Sequence, residues 1–110
     1  MQKMHQNDIV DRLVAGRTEV ARHLDLFEDA EVVMNQVGYL LLDGVLSEDA
    51  SAYVFHNLND LAESGEPLVR NVLEVLVSNP KGVTKARTAL TGPARGMFET
   101  LVAEWPLRRH

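Results

Sequence analysis

Two pairs of ionisable residues have a spacing that would place both members on one face of a helix. Glu19 and His23 are four positions apart, as are His56 and Asp60. Carboxylate and imidazole groups are frequent metal ligands, but di-metal sites in helical bundles combine two Glu-x-x-His motifs with two further carboxylates. The sequence contains no Glu-x-x-His. We therefore expect ordinary solvated pairs, worth about 0.2–0.5 kcal/mol each, and no metal site.

Other residue types that perform catalysis lack a recognisable arrangement. The chain has no cysteine, which excludes thiolate chemistry and disulfides. It also lacks the G-x-S-x-G motif of serine hydrolases, and it has neither a P-loop nor a G-x-G-x-x-G turn to hold phosphates. We predict that the protein is not an enzyme and requires no cofactor.

The charged residues are distributed unevenly along the chain. No lysine or arginine occurs from His23 to Val69, although the formal net charge of the whole chain is only −5. The acidic residues of this stretch are Asp25, Glu28, Asp29, Glu31, Asp43, Glu48, Asp49, Asp60, Glu63 and Glu66. Beyond it, basic residues outnumber acidic ones. Such an asymmetry is informative about partners rather than about the fold, and it predicts a partner with a basic surface.

Direct binding of nucleic acid would require a basic face that neutralises phosphates. Arg87, Arg95, Arg108 and Arg109 would provide a modest one. The acidic stretch would repel the same polymer, so we expect no direct contact with nucleic acid.

The length of 110 residues fits a single domain spanning residues 1–110. The absence of cysteine fits a reducing compartment. No apolar run approaches the roughly 20 residues that cross a bilayer, and the first residues lack the apolar segment of a secretory signal. We expect a cytoplasmic protein without membrane contact. The sequence leaves open whether the protein forms a homodimer.

Apolar residues recur at intervals of three and four through most of the chain, which is the period of an amphipathic helix. Capping residues precede these periodic segments, and glycine or proline follows them. The signals predict helices over about 7–27, 29–46, 47–64, 67–78, 83–90 and 93–105, with a turn at 79–82 and a stop at Pro106. No segment has the period of a strand. The predicted fold class is all-α, a compact bundle of five or six helices.

The third predicted helix carries the strongest candidate surface. At about 100° per residue, four of its polar residues fall within roughly 60° of one another. They are Asp49, His56, Asp60 and Glu63, and they are bordered by Tyr53 and Asn57. Like charges on one strip repel each other, and a lysine or arginine four positions away would normally relieve the repulsion. None is present, so the strip is either a plain solvated face or a surface for a cationic partner.

The second predicted helix has apolar residues on both sides. Its outer side carries Glu31, Tyr39 and Asp43 beside Val32 and Leu42. This pattern indicates either a central helix buried on two sides or a helix that meets a partner. A tyrosine among carboxylates has the character of an interface anchor, because aromatic residues are enriched at binding hot spots.

Two local resemblances accompany these patterns. Residues 48–78 resemble a HEAT-type pair of helices, with the turn and helix start at residues 65–70. One such pair is not a solenoid, because stacked repeats need about three copies. In addition, the segments Phe55–Gly65, Val69–Leu76 and Ala89–Glu99 are similar to a family of small, acidic, all-helical bacterial proteins encoded beside polymorphic toxins. The resemblance covers roughly residues 37–101.

Members of that family are taken to be immunity proteins, so the resemblance implies an inhibitor of one toxin domain. The family has no agreed functional residues, and no position here gains a role from it. The charge pattern agrees with the implication, since an acidic helical surface can occupy a basic nucleic-acid-binding or nucleotide-binding cleft. The alternative is a non-enzymatic adaptor or regulatory subunit that binds a protein partner through an apolar groove.

Overall fold

The computed structural model describes residues 13, 18–25 and 28–108. Within this part the chain forms six helices and no strand, which confirms the predicted all-α bundle. The helices are α1 (Thr18–Ala21), α2 (Ala30–Asp43), α3 (Glu48–Glu63), α4 (Val69–Val77), α5 (Pro80–Ala89) and α6 (Gly92–Arg108).

Helix α4 lies at the centre of the packing. It contacts α2 most extensively, then α6 and α5, while α3 packs mainly on α6. Fully buried side chains from four helices meet in one core, among them Met34, Leu58, Leu73 and Phe98. Each burial of this kind stabilises the fold by about 1.5–3 kcal/mol. The pair resembling a HEAT hairpin corresponds to α3 and α4, which pack more on α6 and α2 than on each other.

Two glycines allow helices to approach closely. A Cβ on Gly38 of α2 would lie 2.7 Å from the Cβ of Val75 on α4. A Cβ on Gly82 of α5 would collide with the backbone carbonyl of Leu76. The α2–α4 and α4–α5 contacts therefore depend on the absence of a side chain at these positions.

The ends of α3 agree with the sequence prediction. Ser47 precedes the helix, and Gly65 follows it with φ +82°. Helix α2 ends at Asp43, earlier than the predicted Leu46, because Gly44 adopts the left-handed conformation at φ +70°. Helix α4 begins at Val69 rather than Pro67.

The predicted turn at residues 79–82 is wrong, because α5 already begins at Pro80. Asn79 Oδ1 accepts a hydrogen bond from the Lys81 N–H at 2.9 Å, and proline at a first helical position loses no hydrogen bond. The predicted stop at Pro106 is also wrong, since α6 continues to Arg108. Most of the helix predicted over 7–27 lies outside the described residues; within it, Leu13 and Val20 are buried.

Candidate protein-binding surface

Hydrogen bonds of Ser47 fix the start of α3. Ser47 Oγ accepts a hydrogen bond from the Ala50 N–H at 3.2 Å. The Glu19 carboxylate accepts the Ser47 N–H at 3.0 Å and the Ser47 hydroxyl at 3.1 Å. A carboxylate at this end also complements the positive end of the helix dipole. With Leu58 in the core, the opposite side of α3 is left exposed.

That exposed side carries four residues that we call the acidic strip: Asp49, His56, Asp60 and Glu63. The structure thus places the four together on solvent-facing positions of one helix. His56 Nε2 lies 3.5 Å from Asp60 Oδ2, and both side chains are more than half exposed. Within the described residues, no lysine or arginine forms an ion pair with the three carboxylates.

Arg70, Arg87 and Arg95 pair with acids outside the strip. Arg70 pairs with Glu74 at 3.3 Å. Arg87 and Arg95 both bind Glu99, at 3.0 and 2.8 Å, and Arg95 also donates to the Arg87 carbonyl. Hydrogen bonds from the two guanidinium groups lower the pKa of Glu99 to about 2, and the pKa of Arg87 is raised. This trio has a net charge of only +1, so it makes a weak basic face.

The two residues predicted to border the strip, Tyr53 and Asn57, are half-buried. Asn57 Nδ2 donates a hydrogen bond to the Leu13 carbonyl at 2.8 Å. Its amide nitrogen therefore ties α3 to the segment before α1, which leaves the amide oxygen for any partner. On the other side of the strip, Asn59 Nδ2 donates to the Ala89 carbonyl and Oδ1 accepts the Thr91 N–H.

The remaining predicted residues, Glu31, Tyr39 and Asp43, are exposed on α2. Tyr39 is 56% exposed, which makes it the most exposed large hydrophobic residue in the described part of the chain. However, α2 packs on α4 and makes little direct contact with α3. The nine predicted residues therefore divide between two helices that are not packing partners, so they do not line a single helix pair.

An open groove of about 550 Å³ lies beside the acidic strip, between α3, α5 and the α2–α3 connection. Its apolar lining comes from Leu46, Ala52, Phe55 and Ala89. Its polar lining comes from Glu48, Ser51, Thr84, Lys85 and Thr88. On α3, the groove-lining residues Ala52 and Glu48 are exposed, and Ala52 is the one nearer to the strip.

The lysine that lines this groove, Lys85, forms hydrogen bonds with the C-terminal end of α2. Lys85 Nζ donates to the Leu41 carbonyl at 2.9 Å and to the Leu42 carbonyl at 3.4 Å. A cation at a helix C-terminus is favourable because it faces the negative end of the dipole. Since α2 has no basic residue in its own last turn, Lys85 supplies that charge from α5.

The described residues contain no group of three or more His, Cys, Asp or Glu residues that could hold a metal ion. Glu19 instead caps α3, while His23 is exposed. None of the helices in the same ranges combines the length and apolar character needed to cross a membrane.

Sequence reasoning missed the groove, the two hydrogen bonds from Asn59 to Ala89 and Thr91, and the contact of Lys85 with the end of α2. Each depends on how separate helices pack, because Lys85 of α5 contacts Leu41 of α2, 44 positions away, and Asn59 of α3 contacts Thr91, 32 positions away. Periodicity describes one helix at a time and contains no signal for such contacts.

No family model, curated protein or solved structure matches the chain.

Proposed function

We propose that the protein is an immunity protein, which binds a cognate bacterial toxin domain through the acidic strip and inhibits it. The observation that supports this most is the strip itself: three exposed carboxylates on one helix face with no lysine or arginine partner in the described residues. A surface of this kind complements a basic partner. The family resemblance of residues 37–101 points to the same class of function.

The position of Glu63 strengthens the argument. Glu63 is the last residue of α3, and the last turn contains no basic residue. A carboxylate near a helix C-terminus faces the negative end of the dipole, which typically costs 0.3–1 kcal/mol in exposed positions. Repulsion from Asp60, three positions earlier, adds to that cost. A residue that disfavours its own helix is readily explained by a role in binding.

Toxin domains that act on nucleic acids or nucleotides have basic clefts. The acidic strip would occupy such a cleft as phosphates do, and thereby block it. Long-range attraction would also accelerate encounter, with association rates up to about 10⁸–10⁹ M⁻¹s⁻¹ at low salt. An inhibitor of this kind acts in the cytoplasm of the producing cell, which we propose as its location.

The second candidate function is a helical adaptor or regulatory subunit. The groove between α3 and α5 favours it, because Leu46, Phe55 and Ala89 offer an apolar lining to a partner. An adaptor that used the groove alone would bind with little dependence on salt, since burial of apolar area is not screened by ions.

Affinity capture combined with an inhibition assay tests the proposed function. The tagged chain is incubated at low salt with lysate of the source bacterium, and the captured protein is identified by mass spectrometry. We expect a basic effector domain at a one-to-one ratio, and we expect its isolated activity to be lost on titration with one equivalent of the chain.

Two charge reversals of equal size provide the control. Glu63→Lys lies on the acidic strip, whereas Glu104→Lys lies on an exposed position of α6. The proposal predicts that the strip variant captures less of the partner and inhibits it more weakly, and that the α6 variant matches the parent chain in both. Equal behaviour of the two variants, or a captured partner whose activity is unaffected, would contradict it.

A further inference from the structure

We infer that the groove between α3 and α5 and the acidic strip form one composite site, in which the groove takes an apolar side chain flanked by lysine or arginine on the same partner. This inference rests on the proposed function and specifies the chemistry of the partner segment. It also joins the two surfaces that an inhibitor and an adaptor would use separately.

The first support is the position of the two surfaces on α3. Groove-lining Ala52 and strip residue His56 are four positions apart, so they are about 40° apart on the helix. Both are exposed. Glu48 also lines the groove and is exposed, so the groove itself includes a carboxylate. A segment that enters the groove therefore passes beside Glu48 and Asp49, and the other two carboxylates of the strip lie about two to three turns of α3 beyond Ala52.

The second support is the hydrogen-bonding character of the α5 wall. The Thr84 hydroxyl donates to the Pro80 carbonyl at 3.2 Å, and the Thr88 hydroxyl donates to the Thr84 carbonyl at 2.9 Å. With their protons committed, these hydroxyls offer only lone pairs to a ligand. Together with Glu48 they present acceptors, which suit ammonium and guanidinium groups, the side chains that are donors without acceptors.

The third support concerns the lysine among the groove-lining residues. Lys85 directs its ammonium group to the Leu41 and Leu42 carbonyls at the end of α2. These carbonyls carry the negative end of the helix dipole, about half an elementary charge, and offset part of the lysine charge. Lys85 therefore opposes a cationic segment less than a lysine without such partners would. A second copy of the chain is a poor occupant, because two acidic strips would be brought together.

Two capped peptides in an NMR titration test the inference. One has two leucines between pairs of lysines, and the other has serines in place of the leucines. We expect both peptides to shift the backbone amides of the acidic strip at low salt. Only the leucine peptide should shift those of Ala52, Phe55, Thr88 and Ala89, and it should bind about tenfold more tightly because it buries apolar area.

Matched variants separate the two parts of the site. Ala52→Gln narrows the groove and should abolish the tighter binding of the leucine peptide. Ala103→Gln, at an exposed position of α6, should retain it. If both peptides shifted only the backbone amides of the strip and bound with equal affinity, the composite site would be overturned. The proposal that the acidic strip binds a partner would remain. If the leucine peptide shifted the amides of the groove even at high salt and left those of the strip unchanged, the proposed function would be overturned, and with it the composite site.

Discussion

At the scale of single residues, the side chain of Asn59 connects α3 to the turn between α5 and α6. It binds the Ala89 carbonyl and the Thr91 N–H at 3.3 and 3.0 Å. Asn59→Ala removes both hydrogen bonds, so we expect the free energy of unfolding to fall by about 1–2 kcal/mol. Asn35→Ala, an exposed position on α2, should change it by less than about 0.5 kcal/mol. Urea denaturation measures both, and equal values would contradict the structural role of Asn59.

Glu99 gives the second prediction at this scale, and it concerns pH. Arg87 and Arg95 lower its pKa from 4.5 to about 2, so it releases its proton more readily in the folded chain than in the unfolded one. Its ion pairs therefore stabilise the fold above pH 4.5, and their contribution fades as pH falls towards 2. Glu99→Gln should lower Tm at neutral pH, with a difference from the parent chain that shrinks over this range. A Tm difference independent of pH would exclude the linkage.

At the scale of helices, the close approach of α4 and α5 depends on Gly82. A Cβ there meets the Leu76 backbone, which cannot move aside as a flexible side chain can. Gly82→Ala should therefore destabilise the fold by about 1–3 kcal/mol. Gly96→Ala provides the control, because no atom outside the surrounding backbone of its own helix lies within 4 Å of the added Cβ, and alanine favours a helix by about 0.5–1 kcal/mol. We expect thermal unfolding to show opposite signs for the two substitutions.

Helix α3 gives a prediction in which stability and binding change in opposite directions. Glu63→Lys replaces a carboxylate in the last turn by a cation and places it three positions after Asp60. Both changes favour the helix, by about 0.5–1.5 kcal/mol in total. The variant should therefore unfold at a higher denaturant concentration than the parent chain. Lower stability of this variant would remove the argument that Glu63 is retained at a cost to its helix.

The sequence was sufficient for features that depend on one helix. Ser47 and Gly65 mark the ends of α3, and the alternation of apolar and charged residues predicts its exposed strip. It was insufficient at Pro80, because a proline after a cap residue starts a helix as readily as it forms a turn. The sequence was also insufficient to show that the predicted residues of α2 and α3 lie on helices that do not pack together. That arrangement follows from the packing of α2 on α4, which is a property of the whole bundle.

At the scale of the whole molecule, the charge asymmetry separates an acidic strip from a region whose arginines are paired internally. Arg70, Arg87 and Arg95 each bind an acid of α4 or α6, so they neutralise little of the strip. The screening length of salt falls from about 30 Å at 0.01 M to about 8 Å at 0.15 M. A partner drawn by the strip should therefore associate much faster at low salt.

The most direct test of the acidic strip as a binding surface is the association rate of the captured partner, measured by stopped-flow fluorescence at increasing ionic strength. We predict a steep decrease from low to physiological salt for the parent chain and for Glu104→Lys. For Glu63→Lys, we predict slower association at low salt and a flatter dependence. A rate that is insensitive to salt in the parent chain, or identical for the two variants, would contradict the proposal.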